Sequence, residues 1–390
     1  MTYIIIGDSF TFPEGDAATN RVYTYAKGFA ENGVHVHVFG FRNDYLTIHS
    51  GEIDGIRFHH PFKQTVRHKN LLIRRMLKLR KYLNTINILK EIDQQDQIEQ
   101  ITVYTTRLLT HLFSWYLTVR FKAILIKESS EHPLRLFQDN IITKIIGYIK
   151  FKSELFLCDG IICISHFLID FHIRQGFPEK KLLLVPSTVD PSRFFTGNAK
   201  PLSYKYIGYF GALTFKRDNV DLLIKAFAHI YNFFPDYHLV LGGPGTDKER
   251  YNIKKLAENL KVSSRVELLN YLPRNEIAEY IIGSEILVMT RRKDMESQAS
   301  FPSKLTEYLA TSKPLITVNV GEIGEYLFDG ENSFVIEPED EKALAEKLKY
   351  VIENYDLAKL IAQKGSLLTK TIFNYNYQAR RIIHFISTLT

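Results

Sequence analysis

The residues of this 390-residue chain whose types and spacing could do chemistry are concentrated in one run, Phe301 to Pro314. The run predicts a short helix, because Pro302 suits a first helical turn and Ser303 can cap backbone donors. A helix N-terminus presents free N–H groups and a positive dipole end that bind phosphate, and Lys304 adds a cation there. Glu307, about one turn deeper, could accept hydrogen bonds from hydroxyl groups. These features fit a nucleotide with its ribose; the alternative is an ordinary amphipathic helix with a solvated lysine and glutamate.

A second set of residues suited to phosphate follows predicted strands in the same half of the chain. A glycine after a strand, two cations and a helix N-terminus recur around residues 206–220. The polar residues and glycines that follow these strands are Gly211, Lys216, Arg217, Gly243, Arg291 and Arg292. Open α/β sheets bind ligands just past the carboxyl ends of their strands, so we place the ligand at this edge.

The N-terminal half offers two further candidates. Gly15 lies in a loop between a strand over residues 3–7 and a helix from Arg21, where it would let backbone approach a ligand, although a plain turn would also use it. Glu131 and His132 follow another strand, and a carboxylate beside an imidazole could serve acid–base chemistry. A histidine beside a proline is also a common structural turn residue. The first loop lacks the G-x-G-x-x-G pattern, which argues against a dinucleotide-dependent oxidoreductase.

The strands and helices that must position these residues alternate along the chain. Residues 3–39 form a βαβ unit, which implies a parallel sheet. A second βα series begins at Tyr204, and residues 186–191 and 196–198 look like the connection between the two series. A chain of this length is expected to form two domains. The sequence therefore predicts an α/β protein with two successive sheets whose ligand-binding edges face one cleft.

Composition limits the class of protein and its partners. Hydrophobic residues make up 45% of the chain and charged residues 24%, which is typical of a globular protein. Fifty Lys and Arg against 43 Asp and Glu give a net charge of +7, which favours anionic partners. Two cysteines, Cys158 and Cys163, indicate neither a disulfide framework nor a zinc site. Without a secretory signal or a spanning apolar run, we expect a cytoplasmic protein.

Residues 63–90 form the most basic segment, with nine Lys and Arg and no Asp or Glu. Its apolar residues recur at helical spacing; they are Leu72, Met76, Leu79, Leu83 and Ile86. A basic amphipathic helix of this kind is a candidate for peripheral contact with an anionic membrane. The alternative is a surface helix whose apolar stripe packs on its own sheet. Nucleic acid is not expected as a partner, because no aromatic residue interleaves the cations before Tyr82.

In their order and spacing, these motifs resemble those of glycosyltransferase family 4, whose members are retaining enzymes of the GT-B fold. The matching segments are residues 12–21, 162–165, 185–190, 209–217, 301–314, 321–323 and 329–332. The resemblance covers nearly the whole chain. It implies two Rossmann-like domains with parallel sheets facing an interdomain cleft: an acceptor-side domain over 1–195 and a nucleotide-sugar donor domain over 200–370. A C-terminal helix over 371–390 would cross back to the first domain.

The resemblance also implies a reaction, the transfer of a sugar from a nucleotide-sugar to a glycan, lipid-linked or other acceptor. The expected setting is cell-surface polysaccharide or glycoconjugate synthesis, with retention of configuration and with no metal or cofactor. The implied catalytic residues are Glu131, His132 and Lys216. The implied donor-binding residues are Gly15, Asp16, Gly211, Lys216, Arg217, Gly243, Arg291, Arg292, Phe301, Ser303, Lys304 and Glu307. Cations and helix N-termini would hold the charge that builds up on the departing diphosphate.

One position departs from the family pattern. The family carries two glutamates eight positions apart; Glu307 matches the second, which binds ribose, whereas the first falls at Ala299. Glu296, Ser297 or Gln298 could supply polar contacts instead. The missing carboxylate motivates one alternative, a catalytically silent nucleotide-sugar-binding partner subunit. Two further alternatives are a GT-B sugar-nucleotide epimerase and a non-enzymatic membrane or nucleic-acid binder built on residues 63–90.

Overall fold

The structure is a computed structural model that describes residues 1–133, 141–195, 202–270 and 273–389. The chain divides into two compact units. Unit 1 comprises residues 1–188 together with 375–390, and unit 2 comprises residues 189–374. Of the predicted connection, residues 196–198 lie outside the described part of the chain.

Unit 1 is built on an eight-stranded sheet in the order β3-β4-β2-β1-β5-β6-β7-β8. All neighbouring strands are parallel except β3 and β4. The strands are β1 Thr2–Gly7, β2 His35–Gly40, β3 Ser50–Ile53, β4 Ile56–His59, β5 Ile98–Tyr104, β6 Ile124–Ser129, β7 Gly160–Cys163 and β8 Leu182–Leu184. Continuous apolar runs such as β1 are buried along their length, as expected for strands covered by helices on both faces.

Helices cover this sheet. They are α1 Ala17–Glu31, α2 Leu71–Gln95, α3 Leu108–Phe121, α4 Ile141–Leu157, α5 His166–Arg174 and, from the C-terminal end, α15 Tyr375–Ser387. Helix α1 begins four residues before the predicted start at Arg21, because the Asp16 side chain accepts hydrogen bonds from the backbone of Ala18 and Thr19. Helix α15 packs closely on α1, where Gly28 lies against Ala379.

Unit 2 contains a six-stranded parallel sheet in the order β11-β10-β9-β12-β13-β14. The strands are β9 Lys205–Phe210, β10 Tyr237–Gly242, β11 Val266–Leu268, β12 Ile286–Met289, β13 Leu315–Val318 and β14 Phe334–Ile336. The helices are α6 Ser192–Phe195, α7 Val220–Ile230, α8 Asp247–Asn259, α9 Arg274–Gly283, α10 Met295–Ala299, α11 Ser303–Ala310, α12 Ile323–Tyr326, α13 Glu341–Glu353 and α14 Tyr355–Ser366. The strand order reverses at β9, which lies between β10 and β12. The predicted α/β class with two parallel sheets is confirmed.

The hairpin β3–β4 does not appear among the predicted elements. Its two-residue turn is Asp54-Gly55, with φ of 50° and 75°. Asp-Gly is a strong signal for such a turn, but β3 is fully exposed and has no apolar periodicity that would mark a strand.

The basic helix over residues 63–90 is displaced in the structure, where α2 runs from Leu71 to Gln95. The apolar stripe of this helix is only partly buried. Ile86 packs on the core, whereas Leu72, Met76, Leu79 and Leu83 are exposed. The stripe as a whole therefore does not pack on its own sheet.

Candidate functional site

The candidate site of unit 2 lies where the strand order of its sheet reverses. Gly211 follows β9 directly, and Arg291 follows β12 after one residue. Because β9 and β12 are parallel neighbours, their carboxyl ends meet at one edge of the sheet. This edge is the position where open parallel sheets form a ligand crevice.

Lys304, in the first turn of α11, reaches back to this edge. Its Nζ atom donates to the Tyr209 hydroxyl at 2.7 Å and to Asp218 Oδ1 at 3.2 Å. The same nitrogen lies 4.5 Å from the centre of the Tyr209 ring. Only 16% of the Lys304 side chain is exposed. The cation is therefore held in place by a carboxylate and an aromatic ring in a poorly hydrated position.

The pKa shifts of these groups follow from burial and from each other's charge. Burial lowers the pKa of Lys304, although the nearby Asp218 carboxylate opposes that shift. For Asp218, burial would raise the pKa, but Lys304, the Thr214 hydroxyl and Arg217 together bring it below its usual range. Burial also raises the pKa of Tyr209 well above its usual value. The Lys304 amino group therefore contacts both the Asp218 carboxylate and the Tyr209 phenol, which keeps its proton at pH 7.

Two arginines complete the cationic cluster. Arg217 pairs with Glu296 at 2.9 Å, and both side chains are partly exposed. Arg291 is 5% exposed and donates to the Ser300 hydroxyl at 2.8 Å. Its Nε–H is buried and has no hydrogen-bond partner among the described residues. A buried, unused donor on a cation is well suited to an anionic ligand.

Gly211 and Gly243 are needed for close packing at this edge. A Cβ on Gly211 would collide with the Lys304 amino group, so a glycine is required for the lysine to lie over the loop. Gly243 has φ of 140°, and a Cβ there would strike the carbonyl oxygen of Gly211. Both glycines therefore allow the β9 and β10 loops to stack, with Gly211 N–H donating to Gly242 O at 2.8 Å.

The start of α11 differs from the prediction in its capping. Pro302 occupies the N-cap position and Ser303 is the first helical residue, and the helix has no side-chain cap hydrogen bond. Ser303 is therefore not a capping residue, because its own backbone is already helical. Phe301 is buried, with its ring 5.5 Å from that of Tyr326 and 5.4 Å from that of Phe373, so it anchors the approach to α11.

Glu307 lies one turn further along α11. Its Oε1 atom is 3.5 Å from a terminal nitrogen of Arg193, and both side chains are partly buried, 18% and 22% exposed. The carboxylate therefore lies within unit 2 beside a cation. It remains a prediction that Glu307 contacts a ribose.

Two predicted cations lie apart from the cluster. The Lys216 side chain is exposed to solvent. Arg292 turns away from the site, donating to the Phe215 carbonyl at 3.0 Å and to Glu339 at 3.0 Å. Of the six predicted residues that follow strands of this sheet, the structure thus brings together Gly211, Gly243, Arg217 and Arg291.

The predicted residues of unit 1 fall at two places. Asp16 caps α1 and pairs with Arg42 at 2.5 Å. The space beside Gly15 is filled by the side chains of Thr11 and Thr19, which accounts for a glycine there without a ligand.

Glu131 and His132, at the end of β6, face different surroundings. Glu131 is exposed, whereas His132 is buried with its ring 4.8 Å from that of Phe171 and 5.6 Å from that of Phe167. Burial lowers the pKa of His132, so the imidazole is neutral at pH 7. Their catalytic role stays a prediction.

The three polar residues that precede Ala299 differ in their surroundings. Ala299 and Ser297 are buried and Gln298 is exposed. Glu296 is the one that pairs with a cation of the site, Arg217. Of the three polar candidates, Glu296 is therefore the one that contacts the cationic cluster.

Sequence reasoning missed the residues that contact the predicted side chains: Tyr209 and Asp218 on Lys304, Ser300 on Arg291 and Arg193 on Glu307. Asp218 carried a detectable signal, since it follows Lys216-Arg217 immediately before a helix. Its partner Lys304 is 86 residues away, so the pair itself could not be read from the sequence. Among the described residues, no group of three or more His, Cys, Asp or Glu side chains could hold a metal ion.

Comparison with known proteins identifies the domain that carries this site. Residues 192–367 match the model of the family glycosyl transferases group 1. An uncharacterized glycosyltransferase of Methanocaldococcus jannaschii is 27% identical over 250 residues, which is 63% of this chain. The match spans 65% of that relative's length, just under two thirds.

Solved structures show the same fold along the whole chain. Sucrose-phosphate synthase from Thermosynechococcus elongatus has a TM-score of 0.74 at 17% identity, with 100% of this chain and 98% of that chain covered. Anabaena HepE in complex with UDP-glucose has a TM-score of 0.67 at 14% identity, with 98% and 99% covered. The predicted GT-B fold class is confirmed. The match of residues 192–367 to the group 1 model supports a transferase rather than the silent subunit or the epimerase.

Proposed function

We propose that this protein is a retaining glycosyltransferase that moves a sugar from a nucleotide-sugar donor to a glycan, lipid-linked or other acceptor. The observation that carries the proposal is the partly buried Lys304, held by Asp218 and Tyr209 at the reversal point of the unit 2 sheet. A nucleoside diphosphate is the leaving group of such a donor, and its negative charge grows as the bond to the sugar breaks. Cations already held near that position stabilise the charge with little reorganisation.

The cluster gives each cation a part in this step. Lys304 would exchange part of its contact with Asp218 for a phosphate oxygen, and the free Nε–H of Arg291 would donate to another. The first N–H groups of α11 add a positive dipole end. Lys216 and Arg217 remain candidates for the same diphosphate, with Arg217 leaving Glu296 to reach it. Glu307 is assigned to the ribose.

The bond to the sugar breaks with a positive charge developing on the anomeric carbon, so the protein need supply little covalent chemistry. Glu131 and His132 remain our candidates for catalytic contacts, and Gly15 and Asp16 for donor contacts. Glu131 is the more accessible of the first two, because it is exposed and His132 is buried among aromatic rings. Retention, the family 4 assignment and a role in surface polysaccharide or glycoconjugate synthesis belong to this proposal.

Lys304→Met tests the assignment, because methionine keeps the length of the side chain and removes its charge. We expect binding of UDP, measured by titration calorimetry, to weaken by roughly tenfold or more, as for the loss of a partly buried charge-assisted hydrogen bond. UDP and UDP-glucose are the first probes, since the HepE complexes contain them.

Lys254→Met, at an exposed position on α8 of the same unit, is the matched control and should bind like the parent protein. If Lys304→Met binds every nucleoside diphosphate as tightly as the parent, the proposed donor site is wrong. Release of UDP from UDP-sugars only when an acceptor glycan is present would establish transfer rather than hydrolysis.

A further inference from the structure

Helix α4 of unit 1 is packed with two charged residues, Lys150 and Glu154, on its buried face and its isoleucines outward. Lys150 and Glu154 are 4% and 2% exposed, and they pair with each other on the buried face. Ile145 and Ile149 are 53% and 49% exposed. This is the reverse of the usual arrangement of a surface helix.

The buried charges fix this orientation. Lys127, within β6, lies 3.7 Å from the same Glu154 carboxylate, so two lysines share one acid beneath α4. Rotating the helix to bury its isoleucines would break these contacts and leave charges unpaired, which is strongly unfavourable. The outward isoleucines are therefore a stable feature of unit 1.

The neighbouring helices extend this surface. Helix α3 packs on α4, and α2 packs on α3 through Tyr82 and Phe113, whose ring centres are 4.7 Å apart. Each helix exposes large apolar side chains with 40% to 68% of their area accessible; representatives are Met76, Leu79, Trp115, Val119, Ile145 and Ile149. We call this surface the α2–α4 face. An apolar surface spread over three helices marks an interaction site.

The charges around the α2–α4 face indicate its partner. Exposed cations accompany the apolar residues; they are Arg75, Lys78, Arg80, Arg120 and Lys144. Residues 71–90 and all of α3 contain no Asp or Glu, and the one acid of α4 is the buried Glu154. A second copy docking through this face would bring these cations against their own counterparts, which repel.

We propose that the α2–α4 face docks on the surface of an anionic lipid bilayer, with the isoleucines and Trp115 entering the headgroup boundary and the cations binding lipid phosphates. Apolar area and basic charge on one helical surface are the two components of such interfacial binding. Trp115 and Tyr116 are suited to the boundary because their rings are amphipathic. None of the described helices is long and apolar enough to cross a membrane.

Trp115 is the single tryptophan of the chain, so its fluorescence reports directly on contact of the α2–α4 face with a bilayer. Adding vesicles that contain phosphatidylglycerol to the full protein should shift its fluorescence emission to the blue, and vesicles of phosphatidylcholine alone should do so much less. High salt should weaken the binding. An unchanged emission spectrum, or equal binding to both vesicle types, would overturn the proposal.

The double variant Ile145→Asp/Ile149→Asp should lower co-sedimentation with the anionic vesicles by roughly tenfold or more, because both side chains leave the apolar boundary. Leu357→Asp/Leu360→Asp, on α14 of unit 2 with 47% and 58% exposure, is the matched control and should sediment like the parent. Circular dichroism confirms that both fold. Concentration-dependent dimers that only the α4 variant abolishes would assign the face to a second copy instead. Lys304→Met should bind vesicles normally, so this test is independent of the donor site.

Discussion

At the scale of single residues, Lys304 illustrates how a functional cation depends on its neighbours. Burial alone lowers the pKa of Lys304, and the Asp218 carboxylate opposes that shift. The same carboxylate also sets its position, through a 3.2 Å contact. Asp218 is therefore a positioning residue, and its charge and its geometry can be separated by an isosteric change.

Asp218→Asn keeps the shape of the side chain and removes its charge, so the pKa of Lys304 should fall further. The protonated amine is the form that binds a diphosphate. UDP binding by the variant should therefore be lost at a lower pH than binding by the parent, in titrations followed from pH 7 to pH 10. Asp247→Asn, at an exposed position on α8, should leave the pH profile unchanged. Superimposable profiles for Asp218→Asn and the parent would remove Asp218 from this role.

At the scale of elements, α11 is placed by one tyrosine. The Tyr308 hydroxyl accepts a hydrogen bond from the Phe210 N–H at 2.6 Å and donates to the Phe210 carbonyl at 3.1 Å. It thus satisfies the last backbone groups of β9 and fixes the helix that carries Lys304 against that strand. Burial raises the pKa of Tyr308 far beyond neutral pH, so the hydroxyl keeps its proton for this contact.

Tyr308→Phe should destabilise unit 2 by about 1–3 kcal/mol, because it leaves two buried backbone groups without partners. Denaturant unfolding measures this cost. UDP affinity should fall as well, since α11 loses its attachment to β9. Tyr251→Phe, on the exposed side of α8, should remain within about 0.5 kcal/mol of the parent. Equal stability of the two variants would show that α11 is held by its apolar contacts alone.

At the scale of the whole molecule, the two units differ in their buried histidines. Unit 1 contains His37, His111 and His172, each at most 5% exposed. Burial lowers their pKa values to about 3, about 4 and about 4. Such histidines must gain a proton on unfolding at mildly acidic pH, which links the stability of unit 1 to pH.

The lowered pKa values of these histidines determine how the stability of unit 1 changes with pH. The unfolded chain begins to bind protons near pH 6.5 whereas the native histidines do not, so stability is present above pH 6.5 and is lost as the pH falls towards 4. Each histidine should lower the free energy of unfolding of unit 1 by about 1 kcal/mol as the pH falls from 6.5 to 5.5. Calorimetry over this range should show the unit 1 transition moving to lower temperature. His111→Leu should reduce that dependence; an unchanged dependence would mean that other groups cause it.

Much of this molecule follows from local sequence. Apolar strands and amphipathic helices that alternate along the chain determine both sheets, because strands such as β1 and β12 are buried along their length. The candidate residues that follow β9, β10 and β12 could be predicted from the sequence, because the strands that precede them could be predicted. The exposed β3 strand could not, since it lacks an apolar pattern.

Only the tertiary structure decided which of these residues act together. The sequence by itself determined that the Phe301–Pro314 run would carry a lysine near a helix start beside a parallel sheet. It did not determine that Lys304, rather than the exposed Lys216, lies against Asp218 in a partly buried position, because that contact joins residues far apart in the chain. Nor could it determine that α4 turns its isoleucines outward, since helical periodicity defines a face, but the buried Lys127–Glu154–Lys150 contacts decide which face is covered.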